Sequence, residues 1–326
     1  MRKSLLLSVS ALVLALSGCQ YKDLCYDHHH WVDINVVYHW DLAPDAEVEG
    51  MVVQFYDPVK EDVEPMRYEL PGMAGGRTRL LPGDWQPISY NNDTESILYK
   101  GTASLGTFEA YTRSSSVEEG TKLMTRSGMP RAAGTEGQAV ILDPDPLWGV
   151  VGDPFTLHIG DPAKTVDLYP VPLFKHVYIT IREVPNIQYT NGFGGALSGL
   201  APSIRIADQR LGEELVTQAF DGHVPDPTTV TMHTLIFGHC PHLSEGVENE
   251  HILTIYAILA DGSKWYYTVD VTDQMHDKVK NPPDSHNIYI DLEGLDIPKP
   301  IVNGSGFHPT VDDWASEEID LTMSLK

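Results

Sequence analysis

One stretch of this chain admits a single local structure. Residues 251–260 are almost wholly apolar or β-branched, Asp261-Gly262 follows, and residues 264–271 return with Trp265, Tyr267, Val269 and Val271 at every second position. Strand side chains point alternately to two faces, so two such runs joined by Asp-Gly read as an antiparallel hairpin. Asp-Gly also supplies the positive φ angles of a type I′ turn, the turn expected here. The same period of two recurs elsewhere. Val32, Ile34 and Val36 alternate with Asp33 and Asn35; Val177, Ile179 and Ile181 alternate within 176–182; Ile288, Ile290 and Leu292 do so within 287–292.

Shorter strands are expected at 51–56, 66–70, 86–90 and 108–112, among frequent Pro and Gly stops. No long stretch carries the 3.6-residue period of a helix. Residues 113–137, rich in Ser, Gly, Thr and Arg, read as a long surface loop. The pattern is all-β, and 42% hydrophobic residues suffice to fill its cores. The length of 326 residues suggests two domains. So does an internal echo: Leu-Pro-Gly-Met-Ala at 70–74 and Leu-Ser-Gly-Leu-Ala at 197–201 lie 127 positions apart, about one small β-sandwich. The expected division is an N-terminal β-sandwich over 31–162, a C-terminal one over 163–300, and a tail over 301–326.

The first residues carry a different message. Arg2 and Lys3 precede an apolar run over 5–16, which has the charge and length of a secretory signal and is too short to span a bilayer. The run ends Leu16-Ser17-Gly18-Cys19, which resembles the lipobox of bacterial lipoproteins. Residues 1–18 are then a signal peptide, with Leu16, Ser17 and Gly18 read by the peptidase. Cys19 is the lipid-bearing first residue, and 19–30 is a tether. Each buried methylene contributes about 0.8 kcal/mol, so several acyl chains hold a protein stably on a membrane surface.

Composition removes whole classes of function. The chain carries 22 basic and 46 acidic residues, a net charge of −24. Binding to nucleic acid requires a basic face, so no nucleic-acid partner is expected. Besides Cys19, the cysteines are Cys25 and Cys240; two residues make no disulfide framework, and their pairing stays open. Two histidine groups carry metal-ligating residue types, but neither reads as a metal site. Asp27, His28, His29, His30, Asp33 and His39 sit on a tether and strand where neighbouring side chains diverge. His233, His239, Cys240 and His242 match no standard zinc spacing. No nucleophile elbow or phosphate-binding loop is present, so no catalytic residue and no cofactor are expected.

Several segments, taken in order, resemble the fimbrillin superfamily of Bacteroidota surface lipoproteins, nearest its FimB-like anchor and minor-subunit branch. They are the lipobox with Gln20-Tyr21-Lys22-Asp23, then Leu81-Pro82-Gly83-Asp84-Trp85 with Tyr90-Asn91, then 196–201, and last Phe237-Gly238, Asp261-Gly262 and Asp270-Val271-Thr272. The resemblance implies two tandem transthyretin-like Greek-key β-sandwich domains after a lipidated tether. It implies a cell-surface outer-membrane lipoprotein, with palmitate among its lipids, that anchors or joins fimbriae and serves adhesion, without catalysis. It also implies partners: the membrane through the lipid, other fimbrial subunits through β-strand exchange, and host or microbial glycans or proteins. In polymerising subunits a first strand is cut away after an arginine. Arg113, Arg126 and Arg131 lie deep within the first domain, and no arginine site stands just before Trp31, which favours an anchor or accessory subunit. The tail has the character of a donor strand, with Ile319, Leu321, Met323 and Leu325 alternating with polar residues. Whether it is donated or packed in its own domain stays open. The alternative function is a surface lipoprotein that binds glycans through exposed aromatic residues such as Trp85, Trp148 and Tyr189.

Overall fold

The computed structural model describes residues 30–60, 63–123, 128–239, 249–300 and 314–318. Almost all of its regular structure is strand, as expected. The first sandwich begins with β1 (Val32–Tyr38), whose alternate residues Val32, Ile34 and Val36 are buried. It continues through β2 (Gly50–Tyr56), β3 (Met66–Pro71), β4 (Gly75–Leu80) and β5 (Gly83–Asn91). Two strands then form a separate small layer, β6 (Ile97–Lys100) and β7 (Glu109–Thr112). Next come β8 (Ala139–Ile141), β9 (Trp148–Val151), β10 (Phe155–Leu157), β11 (Lys164–Leu168) and the two-residue β12 (Val171–Pro172).

The second sandwich starts at β13 (Lys175–Arg182) and contains β14 (Thr190–Leu200), β15 (Ser203–Arg205), β16 (Val216–Asp226) and β17 (Thr229–Ile236). It ends with β18 (Ile252–Leu259), β19 (Lys264–Asp270), β20 (Asn287–Glu293) and β21 (Trp314–Glu318).

The pairings repeat. In the first sandwich β1 lies between β11, parallel to it, and β4, antiparallel. In the second, β13 lies between β20, parallel, and β17, antiparallel. Strand β2 is flanked by β3 and β5, and β14 by β16 and β18, all antiparallel. The far side of β5 is taken by β9 and β10, and that of β18 by β19. Two Greek-key sandwiches of the same topology therefore stand in tandem. The echo at 70–74 and 197–201 does not mark this duplication, because it falls on a third strand in one copy and a second strand in the other. What its two halves share is a left-handed glycine, Gly72 at φ 67° and Gly199 at φ 78°.

Three local expectations give way. The hairpin turn is not type I′: Gly262 has φ 83°, while Asp261 is not among the residues with positive φ. Gly262 N–H donates to Leu259 O, and Leu259 N–H to Ser263 O, which describes a type I turn closed by a left-handed glycine bulge. Asp261 Oδ1 holds it by accepting from Ser263 N and Oγ at 2.9 and 2.6 Å.

The described parts of segment 113–137, read as a surface loop, are instead a cover. Helix α1 (Val117–Thr121) is capped by Ser116, whose side chain accepts from Glu119 N. Val117, Gly120 and Thr121 are buried, and Met129 and Ala132 with them. A Cβ on Gly120 would lie 2.4 Å from the Ala219 carbonyl, so only glycine lets the helix approach β16 this closely.

The division of the chain is the third point. Strand β11, beyond residue 162, completes the first sandwich beside β1, whereas β8, before it, pairs with β16 of the second. We propose a division near 169–174, with the segment around 114–142 lent to the second sandwich. A third sheet also joins the halves, in the order β15-β7-β6. Beneath it lies one apolar layer built from both, including Val52, Ile88, Phe108, Leu173, Ile204 and Phe237.

Candidate functional site

Strand β21 forms the outer edge of the second sandwich, parallel to β19, with Lys264 opposite Trp314 and Thr268 opposite Glu318. The Trp314 ring packs edge-on against Tyr256 at 5.4 Å, and its Nε1 is buried without a hydrogen-bond partner among the described residues. The expected donor residues Ile319, Leu321, Met323 and Leu325 follow directly and lie outside the described residues. So do Leu16, Ser17, Gly18 and Cys19, and Cys25 with Cys240. The tail starts from an edge strand, and the tether runs into β1.

A second feature was not anticipated. Strand β2 is buried at every position because its sheet has a layer on each side. Met51, Val53 and Phe55 fill the sandwich core, and Val52 and Tyr56 face the layer under β6 and β7. On that outer side Gln54, only 5% exposed, interrupts the apolar surface. Its Nε2 donates to the Tyr90 hydroxyl at 2.8 Å. The Tyr56 hydroxyl stands 2.9 Å from Gln54 Oε1 and 2.7 Å from the Thr102 carbonyl, and its one proton serves either. Arg67 also hydrogen-bonds the Tyr90 hydroxyl and pairs with Glu69 at 2.7 Å. The Tyr99 hydroxyl is buried beside the Thr94 side chain and makes no hydrogen bond of full geometry among the described residues. Burial pushes the Tyr56, Tyr90 and Tyr99 hydroxyls upward, so all three stay protonated. This chain of polar groups lines a cavity of about 710 Å³ roofed by β6. Gln54 between valines and Phe was the one signal in the sequence.

The histidines expected together are split. His233 lies on the outer face of the second sandwich, its Nε2 2.9 Å from His176 Nδ1. His176, Tyr178, His233 and Tyr289 stack across three strands with interplanar angles of 12–24°. Stacked this way the rings cover each other's faces and brace neighbouring strands. His239 instead meets His251 and His276, with ring centroids 5.6 and 5.4 Å away. Burial pushes His239 down to about 3 and His251 to about 4. No three His, Cys, Asp or Glu side chains among the described residues are arranged to hold a metal ion. The aromatics expected to meet glycans are not presented either. Trp85 and Trp148 are buried, at 8% and 9% exposure, and Tyr189 is half-buried.

Comparison with known proteins fits this architecture. Over 97% of its length the chain is 24% identical to 97% of a protein of Bacteroides ovatus provisionally named fimbrium anchoring subunit Fim4B. Among solved structures, a provisionally assigned adhesin of Bacteroides ovatus superposes with a TM-score of 0.59 at 22% identity, covering 88% of this chain and 99% of that one. A provisionally assigned polysaccharide-binding protein of Bacteroides thetaiotaomicron superposes at 0.50 with 13% identity, over 80% and 90% of the two chains. These likenesses bear out the tandem all-β fold and the resemblance read from the sequence. Residues 18–221 match a family described as a domain of unknown function, DUF5119, and the chain belongs to that family.

Proposed function

We propose that this protein is a cell-surface fimbrial anchor or minor subunit, held on the outer membrane by lipid on Cys19 and joined to its neighbour by exchange of an edge strand. The likeness to a fimbrium anchoring subunit along nearly the whole chain supports the role. The observation that carries the mechanism is the place of β21. Among the described residues it is the outermost strand and pairs on one side only, and in the sequence the alternating tail follows it directly. An edge strand gains its hold chiefly from main-chain hydrogen bonds and is the cheapest element to exchange with another chain. Strands β18 and β19 retain each other when it leaves, because their pairing runs from Ile252 to Lys264 independently of it.

Deletion of residues 314–326 tests the reading. The expected result is a folded, membrane-bound protein that no longer enters fimbriae. Unfolding of the second sandwich would mean that the tail is a fixed part of its own domain. Cys19→Ala is expected to release the protein from the membrane fraction without changing its fold.

A further inference from the structure

We propose that the cavity roofed by β6 binds a neutral pyranoside unit of a glycan through Gln54, Arg67, Tyr90 and Tyr99. This goes beyond the anchoring role and stands or falls separately from it.

A purely structural network of buried polar groups has every hydrogen bond made. Polar groups placed in an apolar layer cost free energy unless every hydrogen-bonding valence is filled. Here they are not. The Tyr99 hydroxyl has only the Thr94 side chain beside it and makes no hydrogen bond of full geometry, and the Tyr90 hydroxyl, which accepts from Gln54 and Arg67, has no protein acceptor for its own proton among the described residues. Both border one cavity of about 710 Å³, within the range of roughly 300–1,000 Å³ typical of small-molecule sites. Packing alone would have filled that space with side chain.

The lining selects the ligand. An apolar molecule would leave the Tyr90 and Tyr99 hydroxyl protons buried without an acceptor. An anion would find its one cation, Arg67, already held by Glu69 at 2.7 Å, with Glu64 on the rim and a chain of net charge −24 behind it. A cation would meet Arg67. What remains is a neutral molecule with many hydroxyls and an apolar face. Tyr90 and Tyr99, tilted at 47° with centroids 4.7 Å apart, form one wall for it, and Ile97 adjoins them.

The test uses the detergent-solubilised full chain and the methyl glycosides of glucose, galactose, mannose, N-acetylglucosamine and sialic acid. Saturation-transfer NMR is expected to show at least one neutral glycoside bound, at millimolar affinity or better. Gln54→Met and Tyr90→Phe are expected to weaken it about tenfold, because each leaves sugar hydroxyls unpaired. Tyr99→Phe should weaken it severalfold, and Tyr289→Ala on the outer ladder should leave it unchanged; circular dichroism checks that each variant is folded. Absence of transfer to every neutral glycoside overturns the proposal. So does tighter binding of the sialoside, or binding unchanged by both Gln54→Met and Tyr99→Phe.

Discussion

The two sandwiches share a topology but cover their equivalent sheets in opposite ways. Over β14, β16 and β18 the cover is segment 113–142, and it is sealed. Gly120, Gly192 and Gly194 remove the side chains that would hold it off, with Cβ positions 2.4–2.9 Å from their neighbours. Val117, Met129, Ala219 and Tyr256 fill the contact. Over β2 and β5 the cover is β6, β7 and β15, and it is dry at the Phe108 end but hollow and polar at the Gln54 end. The first cover does what packing requires and no more. The second leaves a space and unpaired hydroxyls where packing alone would have placed apolar side chains. A sheet face can be closed either way, so the difference points to use rather than to stability.

Substitutions can break this contrast. The largest effect is expected from Phe108→Ala. Its ring is fully buried in the layer shared by both halves, and its loss should cost about 3–5 kcal/mol in a denaturant melt. Hydrogen exchange should show β6 and β7 released while the cover on the second sandwich stays protected.

Acid acts under neither cover and serves as a control. His251 is fully buried, and desolvation holds its folded value near 4, below the 6.5 of an unfolded histidine. Above pH 6.5 both states are neutral, and the contribution is complete. Between 6.5 and 4 the unfolded chain takes up a proton that the folded one refuses, so stability falls as pH falls. The loss from this residue is about 3 kcal/mol. Chemical denaturation across that window should show the slope, and His251→Gln should reduce it, leaving the part that buried His239 contributes.

Gly120→Ala should cost about 1–3 kcal/mol, since the methyl must displace backbone rather than a flexible side chain. Proteolysis within 113–137 should then speed up. The smallest effect sharpens the contrast most. Tyr256→Phe removes a hydroxyl that donates to the Pro130 carbonyl at 2.6 Å and should cost about 1 kcal/mol. Tyr99→Phe removes one that makes no hydrogen bond of full geometry and should be neutral or stabilising by up to about 1 kcal/mol. Equal losses in the two thermal melts would erase the distinction between the covers.

Much of this was legible in the sequence. Strands β1, β13, β19 and β20 fell where the period of two placed them, because each has one face in a core and one toward polar surroundings, while β18, buried on both faces, showed as a continuous apolar run before Asp261-Gly262. The cover at 113–137 was not legible, since the small residues that let it pack closely are the ones that make a loop in isolation. Strand β11, the partner of β1, lies beyond the expected division because strand pairing does not follow chain order. The cavity was hidden for a related reason. Gln54, Tyr90 and Tyr99 come from three strands and meet only after β6 folds over the sheet. His233 and His239, six residues apart, looked like one group, yet β17 carries the first outward and ends before the second.

The central claim is that β21 leaves β19 when the protein joins a fibre. Cysteines at Thr268 and Glu318, opposite each other in the register, placed in a Cys25→Ser, Cys240→Ser background, tie the two strands together when oxidised. Fibre incorporation at the cell surface, followed by immunogold labelling with and without reductant, reads the outcome. The account predicts that the oxidised protein stays out of fibres and that reduction restores it. Equal incorporation of the locked and reduced forms would contradict it.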